Sequence, residues 1–118
     1  MTYKAPVDEI VFALNSEAGF DRLIQSGAYP DLSDDLVDTI LDEAAKFADN
    51  VVAPLSWEGD QTGARLEADG VKVPESFKGA YQKYVEGGWS TLAAPQAYGG
   101  QGLPLALSNA VTEMMNSN

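Results

Sequence analysis

Gly99-Gly100-Gln101-Gly102-Leu103-Pro104 stands directly before an apolar-periodic stretch. Backbone N–H groups gathered at the start of a helix attract phosphate and other anions, so these residues could form an anion nest. The spacing matches neither the dinucleotide fingerprint nor the P-loop, which needs Gly-Lys-Ser/Thr, and no strand precedes it, so a structural turn is the stronger reading. A second candidate is the carboxylate set Asp34, Asp35, Asp38, Asp42 and Glu43, which could hold a metal or move protons. These residues also fall where a solvated helix face and a helix N-terminus would put them, and helix-borne carboxylate centres add a Glu-x-x-His pair that is absent here. Phe77, Tyr81, Tyr84 and Trp89 have the spacing of a packed face rather than of a stacking platform. Met114 and Met115 are adaptable apolar fillers that could line a pocket for a flexible ligand, with core packing as the default.

The elements that position these residues are helical. After Pro6, Val7, Ile10, Val11 and Leu14 recur at helical spacing, with Asp8 and Glu9 in the first turn where the helix dipole favours them. A second piece runs from Glu17 to about Ser26 and stops at Gly27, with Gly19 as an irregularity inside it. Ser33 is an N-cap for the main helix, whose ridge Leu36, Ile40, Ala44, Phe47, Val51, Leu55 runs beside Val37, Leu41, Ala45, Ala48, Val52. Asp38, Asp42, Lys46 and Asp49 mark its wet face, with Asp42 and Lys46 as an i, i+4 pair. Pro54 predicts a bend, because Leu55 and Trp57 keep the apolar register beyond it. Asp69-Gly70 predicts a short hairpin or tight turn near residues 65–73. A helix follows from Pro74 with Phe77, Tyr81, Tyr84 and Val85 on one face, ended by Gly87-Gly88. Residues 87–104 hold five of the eleven glycines and two of the six prolines, and Pro104 opens a last helix carrying Leu107, Ala110, Val111, Met114 and Met115. No glycine or proline stop follows that helix, so the chain is expected to be the front of something longer.

Composition excludes several functions. Eighteen Asp and Glu against seven Lys and Arg give a net charge of −11, which repels nucleic acid and anionic lipid. With no cysteine and no histidine, disulfides, thiol catalysis, a Ser-His-Asp triad and the commonest metal cages cannot be built from this chain. The apolar runs are too short for a membrane span, and the N-terminus lacks the apolar core of a signal peptide, so a cytoplasmic protein is expected. The 118 residues make about one small domain.

Gly88-Trp89 followed by Pro95-Gln96-Ala97-Tyr98-Gly99-Gly100-Gln101-Gly102-Leu103 resembles the signature of the acyl-CoA dehydrogenase family, Pro-x-x-Tyr-Gly-Gly-x-Gly-Leu. Gln96 and Ala97 depart from the acidic residues usual there without disturbing the turn. The likeness extends back through the Pro-containing helix at Phe47 to Trp57 and forward to Thr112-Glu113. The opening, Tyr3 to Asn15, is similar to the N-terminal extension of the larger members, including the 3-methylmercaptopropionyl-CoA dehydrogenase-like group.

The resemblance implies an all-α N-terminal domain over residues 33–118, cut within its last helix, behind a 1–32 extension with short helices. It implies an FAD enzyme that removes an α-hydrogen and a β-hydride from an acyl-CoA thioester, with an electron-transfer flavoprotein as oxidant and a homo-oligomeric assembly. The catalytic glutamate and nearly all flavin contacts belong to middle and C-terminal domains, so this chain alone is expected to be inactive and without cofactor. Met115 and Asn118 are implied at the margin of the substrate pocket, and Pro95, Tyr98, Gly99, Gly100 and Gly102 as the structural motif. A stand-alone acidic helical protein-interaction module is the alternative.

Overall fold

Apolar side chains from both ends of the chain meet on the main helix. The computed structural model describes residues 3–30 and 32–117. The helices are α1 (Val7–Phe12), α2 (Phe20–Gln25), α3 (Asp34–Phe47), α4 (Ala53–Thr62), α5 (Glu75–Glu86) and α6 (Leu105–Asn116), and one hairpin of β1 (Arg65–Glu67) and β2 (Gly70–Lys72) lies between α4 and α5. The fold is therefore helical, with the hairpin where the sequence placed it. Its strands pair antiparallel, Leu66 opposite Val71, and Ala68 and Asp69 form the turn while Gly70 opens the return strand.

Local chemistry sets most boundaries. Ser33 caps α3, its Oγ accepting the Leu36 N–H at 3.2 Å. α2 starts at Phe20 rather than Glu17, because Gly19 adopts φ 68° and separates it from a π-helical turn, Ala13–Glu17, that continues α1. Pro54 does produce an irregularity, displaced towards the N-terminus: a π-helical turn, Ala48–Val52, precedes it, and Pro54 becomes the second residue of α4. A proline lacks an N–H and crowds the carbonyl four residues earlier, and widening that turn relieves both.

The core joins Phe20, Leu41, Leu107, Val111 and Met114, each at most 2% exposed, with Ile10 and Leu14 from the first helical segment beside them. On α3 the buried line is Val37, Leu41, Ala44 and Ala45, continued by Ala48, whereas Leu36, Ile40, Phe47, Val51 and Leu55 are half-buried. Lys46 pairs with Glu43 at 3.1 Å instead of with Asp42.

The α4–hairpin–α5 portion is built differently. Neither helix buries a side chain fully, and Trp57, Tyr81 and Val85, expected on a packed face, are 73%, 69% and 45% exposed. Phe77 packs on Gly59, and Tyr84 and Trp89 reach Phe47 with ring centroids 6.2 and 6.4 Å away. Ser76 donates to Glu58 at 2.6 Å. This wing stretches the molecule to 54 × 36 × 18 Å, with a radius of gyration of 16.5 Å against about 13.5 Å for a rounded domain of this length.

Truncating Leu41 to Ala should therefore cost about 2–5 kcal/mol of unfolding free energy in urea. Tyr81→Ala should change it by no more than about 0.5 kcal/mol, since the isolated chain leaves that ring in water.

Candidate functional site

The glycine-rich turn is a backbone lock. Pro95, at φ −59° and ψ 142°, enters a 3₁₀ turn, Gln96–Tyr98, which Gly99 leaves at φ 83°. From there five consecutive N–H groups turn inward. Gly99 donates to the Gln96 carbonyl at 3.1 Å, Gly100 to Pro95 at 3.1 Å, Gln101 to Thr91 at 3.1 Å, Gly102 to Ala94 at 2.9 Å and Leu103 to Leu92 at 2.9 Å. The Gln101 side chain adds a bond from Nε2 to the Gly88 carbonyl at 3.0 Å. Leu92, 2% exposed, ties this lock to the core.

An anion nest needs N–H groups pointing outward with no protein acceptor. Here all five are spent, so the turn shapes the chain and does not cradle a phosphate. Gly100 shows why the backbone must be bare: a Cβ built on it would overlap the Ala94 carbonyl. Gly99 is glycine for a different reason, since nothing lies near its missing side chain but its φ is left-handed.

Of the residues singled out in the sequence, Pro95, Tyr98, Gly99, Gly100 and Gly102 thus come together in one lock, with the Tyr98 ring 86% exposed. Met115 is half-buried on the last turn of α6, one position beyond the fully buried Met114, and Asn118 lies outside the described residues. The carboxylates Asp34, Asp35, Asp38, Asp42 and Glu43 are exposed, and the described residues hold no acidic, cysteine or histidine group able to bind a metal ion. No helix of the described residues is long and apolar enough to cross a membrane.

Sequence reasoning missed Gln101, Asp49 and Tyr3. Asp49, read as a wet-face residue, is half-buried, and its Oδ1 accepts the Ala5 N–H at 2.9 Å across 44 positions of chain. Gln101 bonds back 13 positions; neither partner is visible in a helical period. Tyr3 packs against the core, with its hydroxyl buried. Burial raises its pKa above the ordinary 10.0; the neighbouring Ser117 hydroxyl offsets part of the rise without reaching hydrogen-bond geometry, and Asp49 and Glu113 add to it. A cleft of about 480 Å³ between the first helical segment and α6 has an apolar lining that includes Ile10, Leu14 and Ala110, together with Glu9 and Glu113. Those carboxylates suit it poorly to an anionic ligand.

Comparison with known proteins adds the family context. Residues 35–117 match the model of the "Acyl-CoA dehydrogenase, N-terminal domain" family. The chain is 39% identical over 117 residues to a 3-methylmercaptopropionyl-CoA dehydrogenase of Ruegeria pomeroyi, covering 99% of this chain and 20% of that protein. It is 30% identical over 113 residues to a broad-specificity linear acyl-CoA dehydrogenase, FadE5, of Mycobacterium tuberculosis, covering 94% of this chain and 18% of that protein. The chain therefore spans about one fifth of the length of these relatives.

Two predictions follow from this geometry. Gly100→Val should destabilise more than Gly99→Ala, which carries only the left-handed strain of about 1–2 kcal/mol, and urea midpoints give the order. Because the folded pKa of Tyr3 lies above its unfolded value, its contribution is complete below about pH 10 and is lost as pH rises through the folded pKa. Tyr3→Phe should remove that part of the alkaline loss of stability, seen as a shallower fall in melting temperature above pH 10.

Proposed function

Since this chain belongs to the acyl-CoA dehydrogenase family, as its N-terminal helical domain, we propose that it walls the acyl pocket of a flavin-dependent acyl-CoA dehydrogenase and packs that enzyme's other domains. The observation that carries this reading is identity spread over almost the whole chain to dehydrogenases about five times as long. Residues 33–118 are the domain proper and residues 1–32 an extension that braces it. The exposed side chains Trp57, Tyr81 and Val85 form an apolar wing suited to cover by the middle and C-terminal domains.

The reaction in this reading takes an α-proton and a β-hydride from an acyl-CoA thioester to leave a trans-2-enoyl-CoA. Electron-transfer flavoprotein accepts the electrons, and the enzyme is a cytoplasmic homo-oligomer. FAD belongs to the intact enzyme in this reading, and the glycine-rich turn does not fit its diphosphate. The N–H groups of residues 99–103 are spent within the protein. No proton or hydride step is therefore assigned to this chain. Its part is to bound the pocket and exclude water, with Met115, and Asn118 beyond it, at the margin where the acyl chain ends.

Grafting this chain in place of the matching segment of the Ruegeria enzyme tests the reading. The chimera should load flavin and form enoyl-CoA, and Met115→Trp in it should raise KM for the longest acyl-CoA accepted by about tenfold, the scale of one methylene in an apolar pocket. A chimera that folds but neither binds flavin nor turns over acyl-CoA would contradict the assignment.

A further inference from the structure

We infer that residues 3–6 form a strap that fixes the last turn of α6, and that Asp49 is the positioning residue that anchors it. The strap touches two places that are far apart in sequence. At one, the Ala5 N–H is held by Asp49 Oδ1 at 2.9 Å, on a residue that stands within the π-helical turn Ala48–Val52. At the other, the buried Tyr3 hydroxyl is near Ser117, the residue after α6, and within electrostatic reach of Glu113 in its final turn. Ala5 between them is 6% exposed and Tyr3 packs on the core, so the strap lies on the body of the protein. The π-helical turn itself packs against α6, with Ala48 and Met114 both fully buried. The strap thus closes a ring from Asp49 through Ala5 and Tyr3 to the end of α6 and back through the core.

That ring adds a constraint to the C-terminal end of α6. Its first turn is fixed by the glycine lock through Leu103 and Pro104. Its last turn is held by Met114 in the core and by Ser117 Oγ, which donates to the Glu113 carbonyl, but it has no αL glycine and no basic residue: Ser117 is right-handed at φ −88°, and such helix ends fray. A hydrogen bond from a backbone N–H to a half-buried carboxylate is charge-assisted and directional, and it fixes where Tyr3 can sit. Met115 stands on the turn being held. If Met115 bounds the acyl pocket, which rests on the function proposed above, Asp49 sets the position of that margin without touching substrate.

Amide hydrogen exchange on this chain tests the strap directly. Asp49→Ala should speed exchange at Ala5 and at residues 113–117 by at least tenfold, leaving Leu41 and Ala44 in the middle of α3 as protected as before. Asp49→Asn, which keeps an Oδ1 acceptor, should restore most of the protection at both places. A chain beginning at Pro6, with Asp49 intact, should loosen residues 113–117 equally. Faster exchange at Ala5 alone, or a uniform rise that includes Leu41 and Ala44, would overturn the strap. In the Ruegeria chimera, Asp49→Ala should raise KM for the longest acyl-CoA severalfold with kcat within about twofold. Loosened residues 113–117 beside an unchanged KM would uphold the strap and overturn Met115 as the pocket margin.

Discussion

The Ala94 carbonyl approaches Gly100 so closely that no side chain fits between them, and the arrangement of the C-terminal half depends on that contact. With the two backbones pressed together, Gln101, Gly102 and Leu103 bond to Thr91, Ala94 and Leu92, and the chain leaves the turn in the direction that places Leu107, Val111 and Met114 in the core. Buried N–H groups need acceptors, and here they find them within the same loop. The N–H groups of residues 99–103 are satisfied in this way and are not free for a ligand. Chemistry that would need an anion bound at this turn is thereby excluded, and the turn's value lies in aiming α6.

The two halves of the molecule distribute their apolar surface differently. Around α3, the first helical segment and α6 bury Ile10, Leu14, Leu107, Val111 and Met114, while Phe12 and Leu105 stay exposed. Along α4, the hairpin and α5, Trp57, Leu66, Val71 and Tyr81 face outward. Large apolar side chains left exposed on neighbouring elements, such as Trp57 and Tyr81, form a surface suited to a neighbour. In the function proposed above, that surface belongs to a helical wall whose other side is covered by further domains.

Local interactions were legible in the sequence. Ser33, Gly27, the hairpin and the start of α6 were placed because caps and turns are decided by residues a few positions apart. Gly99 and Gly100 were read as structural from the glycine-rich context alone, and the Ala94 carbonyl that approaches Gly100 carries no signature in its side chain. Helical periodicity misled at Asp49, which it assigned to solvent, because the acceptor's partner lies 44 residues away. It also failed at Tyr81: a period identifies a face but does not say what covers it. The π-helical turn before Pro54 escaped for a related reason, since an inserted residue shifts the register without changing which residues are apolar.

The central claim is that this chain is a structural wall of a larger flavoenzyme, and the mass and flavin content of the native product of its gene test it most directly. The expected result is a yellow protein several times the 12.6 kDa of the present chain, with one FAD in each polypeptide. A native product of 12.6 kDa that carries no flavin would contradict it.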